Sequence, residues 1–349
     1  MVYSETVLGK AKGFICILGL VAFSGVASAK WEALPSVAPA PANNPTTAEK
    51  VELGKMLFFD PRFSSTGTVS CFSCHNVMEG GDDHRSVSIG VHNQKGGRNS
   101  PTVWNAAFLS SQFWDGRAAT LEEQAVGPVT NAIEMGMGSL DEAVLRIRAI
   151  PGYRSIFEGA FGNGEVVTME NAAMAIAAYE RTLVTPNSQF DRYVSGDKTA
   201  MSGDAVRGMN TFEQVGCTSC HSGAVFAGPT LPPGTGLFMK FPMFADNQYV
   251  KAFGLDKDEG RYEATGVESD KNLWRVPTLR NLVYTAPYFH NGAVKTLAES
   301  VRIMAKTQLN KNLADTEVDD IVAFLESLTG EFPQQTMPRL PPTPGTLLE

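Results

Sequence analysis

Two pentapeptides decide the fold: "CFSCH" at residues 71–75 and "CTSCH" at residues 217–221. Each places two thiols around two intervening residues, with a histidine immediately after. The chain has five cysteines; four lie in these motifs and the fifth, Cys16, lies in an apolar leader. A CxxC pair alone fits a redox dithiol or half a zinc site, and two pairs supply the four thiolates of a tetrahedral zinc centre. The repeated histidine argues otherwise. In covalent haem attachment Cys71 and Cys74, like Cys217 and Cys220, bond the vinyl groups of a porphyrin, and the next residue, His75 or His221, ligates the iron. Zinc needs nothing at that position. The motifs therefore imply two covalently bound haem c groups.

The first residues agree with this. Lys10 and Lys12 precede an apolar run from Gly13 to Val26, and Ala27-Ser28-Ala29 offers a small-residue cleavage site, so residues 1–29 read as a secretory signal peptide. The run is short for a membrane span, which takes roughly 20 apolar residues. Export to the periplasm suits c-type haem attachment, which takes place outside the bacterial cytoplasm. With 29 basic and 37 acidic residues the net charge is −8, and no basic run points to nucleic acid.

The remaining 320 or so positions are enough for two domains, at about 100–200 residues each. Residues 30–46, rich in Pro and Ala, read as a linker or arm rather than core. A helix is expected from Thr46, with Glu49 three residues later as in a capping box, and Pro61 ends it. Before the second motif, "DAVRGMNTFEQVG" reads as an amphipathic helix closed by Gly216. Each motif is followed much later by a closing helix: "MENAAMAIAAYERTLV", ended by Pro186, and "TEVDDIVAFLESLTG", opened by Thr316 and closed by Gly330. The same order occurs twice, and duplication of a cytochrome-like domain is the economical account. The expected fold is mainly α with little β: two cytochrome c-like haem domains with long loops, at 47–195 and 196–335, and a tail at 336–349. Loops such as "IGVHNQKGGRNSP" and "GPTLPPGTGLFMKFP" are long enough to be functional.

Several stretches, in this order, carry a further resemblance: "SCFSCHNV", "QKGGRNSPTVWNAAF", "QFWDGRA", "LEEQAVGP", "EMG" and "VPTLRNLVYTAPYFHNG". Together they resemble the bacterial dihaem cytochrome c peroxidases, from "ELGKMLFFDPRFS" to "IVAFLESLTG". The resemblance implies reduction of hydrogen peroxide to water with electrons from a small periplasmic cytochrome c or cupredoxin. It implies a low-potential peroxidatic haem in the first half, a high-potential electron-accepting haem in the second, one calcium ion between them, and a homodimer. Residue by residue, His75 matches the proximal ligand of the peroxidatic haem, Glu134 the distal acid–base glutamate and Gln124 the distal glutamine. Trp114 matches the tryptophan between the haems, and Met304 the ligand opposite His221. Asn99, Thr285 and Pro287 match the calcium ligands, the last two through backbone carbonyls. His290 matches a histidine near the electron-accepting haem rather than a ligand.

Taken singly, each of these residues has a plainer reading: Glu134 as a solvated carboxylate, Trp114 as core, Met304 as packing, Asn99 beside Pro101 as a turn residue. The ordered set of motifs is what gives them roles. Two other functions fit two haems: oxidation of a protein during cofactor maturation, as in the enzymes that build the quinone of methylamine dehydrogenase, and electron carriage alone. The maturation enzymes carry a tyrosine where Met304 stands. A pure carrier leaves Gln124 and Glu134 unexplained.

Most of the family closes the peroxidatic iron with a loop histidine three residues before "QKG". Val91 occupies that place here, and His92 follows it. A loop rich in Gly and Asn can absorb a slip of one residue, so His92 is the expected closing ligand. His84 comes second, because its acidic neighbours suggest a solvated turn.

Overall fold

The structure is a computed structural model, and it describes residues 31–343. The proposed signal peptide and the last residues of the tail lie outside that range. Twelve α-helices and one two-stranded sheet make up the described residues, as the mainly α expectation required.

In the first half, α1 (Ala48–Phe59) leads to α2 (Cys71–Cys74), which carries the first motif, and then to α3 (Leu121–Thr130), α4 (Leu140–Arg148), α5 (Pro151–Phe161) and α6 (Met169–Glu180). Thr47 caps α1, its hydroxyl accepting from the Lys50 amide at 3.3 Å. The cap is thus the second threonine of the pair, not Thr46. The helix stops at Asp60, whose carboxylate caps the turn at Pro61 and pairs with Arg62 at 2.6 Å. The closing helix α6 starts behind Thr168 and ends at Glu180, well before Pro186. The chain turns out at Thr182, whose hydroxyl bonds the Tyr179 carbonyl.

The second half repeats the plan. α7 (Gln189–Val194) and α8 (Gly203–Val215) precede the second motif, and Gly216 ends α8 with φ 105°, a left-handed conformation that suits glycine. β1 (Phe238–Lys240), α9 (Gln248–Phe253), α10 (Tyr262–Thr265) and β2 (Leu273–Arg275) form the connecting region. The strands pair antiparallel, Met239 opposite Trp274. α11 (Leu297–Leu309) and α12 (Asp315–Ser327) close the half. Glu317 bonds back to the Ala314 amide at 2.8 Å, so α12 starts one residue before Thr316.

The two halves share a joint that the sequence reading did not anticipate. α1 packs on α6, and α8 on α12. A Cβ added at Gly54 would collide with the backbone oxygen of Ala175, and one at Gly208 with that of Asp320. Each leading helix thus touches its closing helix backbone to backbone, through a glycine. The first core is built from Leu53, Leu57, Phe58, Phe63, Tyr153 and Tyr179, the second from Phe190, Phe212, Phe226, Ile321 and Phe324.

Phe190, on α7, packs in the second core. The chain's ends also cross over. Trp31, expected in a linker, packs on Phe190, Phe226 and Phe324 with ring centroids 5.9, 6.1 and 5.8 Å away, and the Leu34 amide bonds Asp191 at 2.9 Å. The C-terminal segment runs back over the first half: Tyr179 donates to Gln335 at 3.0 Å and Arg62 to the Pro341 carbonyl at 2.9 Å. Among the described residues no helix is long and apolar enough to cross a membrane.

Candidate functional site

Each pentapeptide opens into its own cavity, of about 300 Å³ in the first half and about 170 Å³ in the second. Among the described residues no group of three or more Cys, His, Asp or Glu could hold a metal ion. The two CxxC pairs therefore do not converge on a four-thiolate zinc site. Burial pushes the thiols of Cys71 and Cys217 up to about 12 and that of Cys74 to about 11, and it raises Cys220 as well. Thiols held neutral in an apolar wall suit a thioether link better than thiolate coordination.

Both histidines are anchored in the same way. His75 Nδ1 lies 3.3 Å from the Gly81 carbonyl and 3.1 Å from the Ser100 hydroxyl. His221 Nδ1 lies 2.9 Å from the Phe226 carbonyl. A carbonyl on Nδ1 fixes the tautomer that leaves Nε2 as a free lone pair, and burial holds both rings neutral by lowering their pKa. That is the form an axial ligand needs, so these residues fit a haem.

The first cavity gathers His75, Phe113, Trp114, Arg117, Gln124, Pro128 and Glu134 on one surface. Thr120 caps α3, bonding the Glu123 amide at 3.2 Å, which sets Gln124 one turn in. Glu134 sits in the turn that follows. Asn131 donates to its Oε1 at 2.7 Å, leaving Oε2 free. Burial raises the Glu134 carboxyl above the usual carboxylate range, and Arg117 works against the rise.

His92 is not on this surface. The strap around it is pinned to the Glu134 turn, with the Val91 backbone amide on the Glu134 carbonyl and the Gln94 side-chain Nε2 on the Ala132 carbonyl, both at 2.9 Å. Val91 is buried in the first core, while His92, at φ 56°, faces solvent. In this structure Val91, not His92, takes the inward position. His84 is also outside the cavity, half exposed and 2.8 Å from Glu79.

The second cavity is almost wholly apolar. Its wall includes His221, Met239, Met304, Phe241, Trp274, His290 and Leu325. Ser300, Val301, Met304, Ala305 and Gln308 all face it from α11, at the spacing of one helix face. Met304 and Met239 both reach the wall, one from α11 and the other from β1.

Trp114 lines both cavities. Its indole donates to the Asn99 carbonyl at 2.8 Å, and its own carbonyl accepts from the Arg275 amide at 3.0 Å. The seam around it is joined from both sides. Arg98 pairs with Asp115 at 2.5 Å and Asp258 at 2.7 Å, and lies over Trp274, which stacks on His290 at 4.1 Å. Asn99 is buried there, its amide nitrogen on the Arg85 carbonyl at 2.8 Å and its backbone amide on the His290 carbonyl at 2.7 Å. The turn holding Thr285 and Pro287 packs on the first half at Gly80, so close that a Cβ there would meet the Tyr284 carbonyl. The Asn99 side-chain oxygen and the carbonyls of Thr285 and Pro287 are neutral oxygen donors, the type a hard cation takes.

A family profile described as "Di-haem cytochrome c peroxidase" matches residues 48–199. The chain is 43% identical to the cytochrome c551 peroxidase of Nitrosomonas europaea over 88% of each chain. It is 44% identical to the cytochrome c551 peroxidase of Pseudomonas aeruginosa, over 92% of this chain and 90% of that one. The chain belongs to the di-haem cytochrome c peroxidase family. A crystal structure of a MauG-like protein associated with microbial copper homeostasis shares the fold, with a TM-score of 0.73 at 29% identity over 85% of this chain and 95% of the other. Membership in a di-haem family implies two haem c groups, and the two cysteine–histidine cavities are where they fit.

Sequence reading singled out neither Phe113 nor Arg117, although both stand in the quoted "QFWDGRA" beside Trp114. Their one local signal was that proximity. Phe113 adopts φ 68°, rare for a bulky residue, and no sequence pattern marks it.

Proposed function

We propose that the protein is a periplasmic peroxidase that reduces hydrogen peroxide to water, using electrons from a small c-type cytochrome or cupredoxin. The observation that carries this reading is the first cavity, where Glu134 and Gln124 share a wall with an iron-ligating histidine. When bound, the haem at His75 supplies the iron that takes peroxide and the path by which electrons reach it.

The protein's own groups manage the protons. Reduction of one peroxide to two waters takes two electrons and two protons. Glu134 Oε2 accepts the proton from the near oxygen and delivers it to the far one, while Asn131 holds Oε1 and fixes the carboxyl plane. A carboxyl raised by burial is better matched to both steps near neutral pH. Gln124 offers an amide that orients peroxide without exchanging a proton. The carbonyl of Gly81 keeps His75 in the ligating tautomer.

The second cavity stores the other electron. His221 and Met304, both on its wall, would hold a haem there, and thioether ligation would raise its potential. Trp114, on the wall of both cavities, carries electrons between them. Asn99, Thr285 and Pro287 would supply oxygen donors for one calcium ion, and a homodimer is the assembly that the family likeness supports. A methionine at position 304 favours this reading over protein oxidation of the MauG kind.

Steady-state peroxide consumption by the purified dihaem protein with a reduced c-type cytochrome is the test. Rapid turnover is expected, and its absence would sink the assignment.

A further inference from the structure

One cation on the wall of the first cavity, shared with the candidate acid–base group, is held in an unusual way. Arg117 follows Trp114 by three residues and lies on the wall of the first cavity with Phe113, Gln124 and Glu134. Its guanidinium carbon stands 3.4 Å from the centre of the Phe113 ring, and contact over an aromatic face fixes the plane of the group. Phe113 is presented for this by its left-handed φ of 68°, a conformation rare in a bulky residue. Asp115, only 2% exposed, holds the other edge of the guanidinium: Arg117 Nη1 donates to Oδ2 at 2.9 Å and Oδ1 at 3.1 Å. Asp115 is shared with Arg98, so its charge does not cancel Arg117 alone. The Nε and Nη2 donors of Arg117 make no bond to the protein among the described residues.

The other ionisable groups near Glu134 are differently disposed. His92 and Lys95 on the strap are exposed. Arg98 is occupied by Asp115 and Asp258, and Glu263 lies beside it. Glu180 is buried on another part of the cavity wall. From these elements only Arg117 bears on the Glu134 carboxyl against the effect of burial.

We propose that Arg117, clamped between Phe113 and Asp115, is a positioning residue that keeps Glu134 in its proton-accepting form at working pH. Burial alone shifts this carboxyl toward its protonated form, which takes the first proton from peroxide less readily. A fixed cation at the rim offsets burial without entering the reaction. The idea rests on the peroxidase reading for its consequence, but not for its first measurement.

That measurement is a pH titration of the Glu134 carboxyl band in infrared difference spectra of the dihaem protein, the band being assigned by its loss in Glu134→Gln. Arg117→Gln should move the midpoint up by about one pH unit, the lower end of the range for a nearby opposite charge. Arg117→Met, which keeps a stem on Phe113, should do the same, and Arg117→Lys should restore most of the shift. In turnover, the acid limb of kcat/KM should move equally, giving about a tenfold loss one pH unit below it. A midpoint unmoved in both Arg117→Gln and Arg117→Met overturns the proposal. So does a Lys variant as displaced as the Gln variant, which would make the role structural. Absence of peroxide turnover in the wild type would instead overturn the peroxidase reading and leave the titration to decide this one.

Discussion

The indole nitrogen of Trp114 donates to the main-chain oxygen of Asn99 at 2.8 Å. One contact thus ties the residue between the two cavities to a proposed calcium ligand. Trp114→Phe keeps an aromatic ring but removes this bond. Both haems should still be attached, while electron transfer from the second haem to the first slows and peroxide affinity holds. Rapid mixing with peroxide, following the second haem's oxidation, checks this. An unchanged rate would return Trp114 to a packing role.

Glu134→Gln is nearly isosteric, and the amide cannot accept and return a proton. Peroxide turnover should fall by about 10²-fold or more, the scale of one lost acid–base catalyst. In the wild type, burial raises this carboxyl, so the acid limb of kcat/KM should lie above the usual carboxylate range. Activity should therefore be lost as pH falls through that limb, and the Gln variant should lack the limb altogether. A pH series on both proteins measures it.

Met304 and Met239 both reach the second cavity. Met304→Ala should lower the potential of that haem, because a thioether ligand raises it, and Met239→Ala should leave it near the wild-type value. Spectroelectrochemical titration of the two variants separates them, and the reverse result would make Met239 the ligand.

His92 faces solvent while Val91 fills the inward position. His92→Gly should therefore change neither the spin state of the oxidised first haem nor its activity. The wild-type enzyme should show high-spin iron at that haem and turn over without prior reduction. An EPR spectrum of the oxidised protein that is entirely low-spin would show that the strap closes on the iron after all.

Arg280, fully buried, pairs with Asp191 at 2.8 Å and donates to the Ala224 carbonyl. Arg280→Met leaves the Asp191 carboxylate buried without its partner, which should cost about 3–5 kcal/mol. Arg280→Met with Asp191→Asn should recover part of the loss. Denaturant unfolding of the three proteins gives the comparison.

What the sequence disclosed was local. Helix caps, the stop at Gly216 and the two haem motifs are set by neighbours within a few residues, and they appear nearly where expected. The misplacements arise where distant contacts decide. Nothing near Trp31 tells that its ring sits among Phe190, Phe226 and Phe324. α7 is too short to reveal by periodicity which core claims Phe190. In the strap, left-handed φ at His92 and Asn93 sets which side chain points inward, and no residue pattern spells that out. Of the candidate site, Gln124, Glu134, Trp114 and Met304 reached cavity walls because ordered motifs carried them, whereas Arg117 and Phe113 depend on a backbone conformation that no motif spells out.

The crossed ends bear on how such a chain is assembled. Trp31 lies near the start, yet Phe324, part of its seat, is synthesised almost last. The tail, made last of all, finds its own seat on the first half already available. Early in biogenesis the first half can therefore gather around its core while its leading arm trails free. The arm docks only when the second core exists to receive it. An assembly arrested before that event would carry a haem-ready first pentapeptide and an aromatic anchor with nowhere to bind.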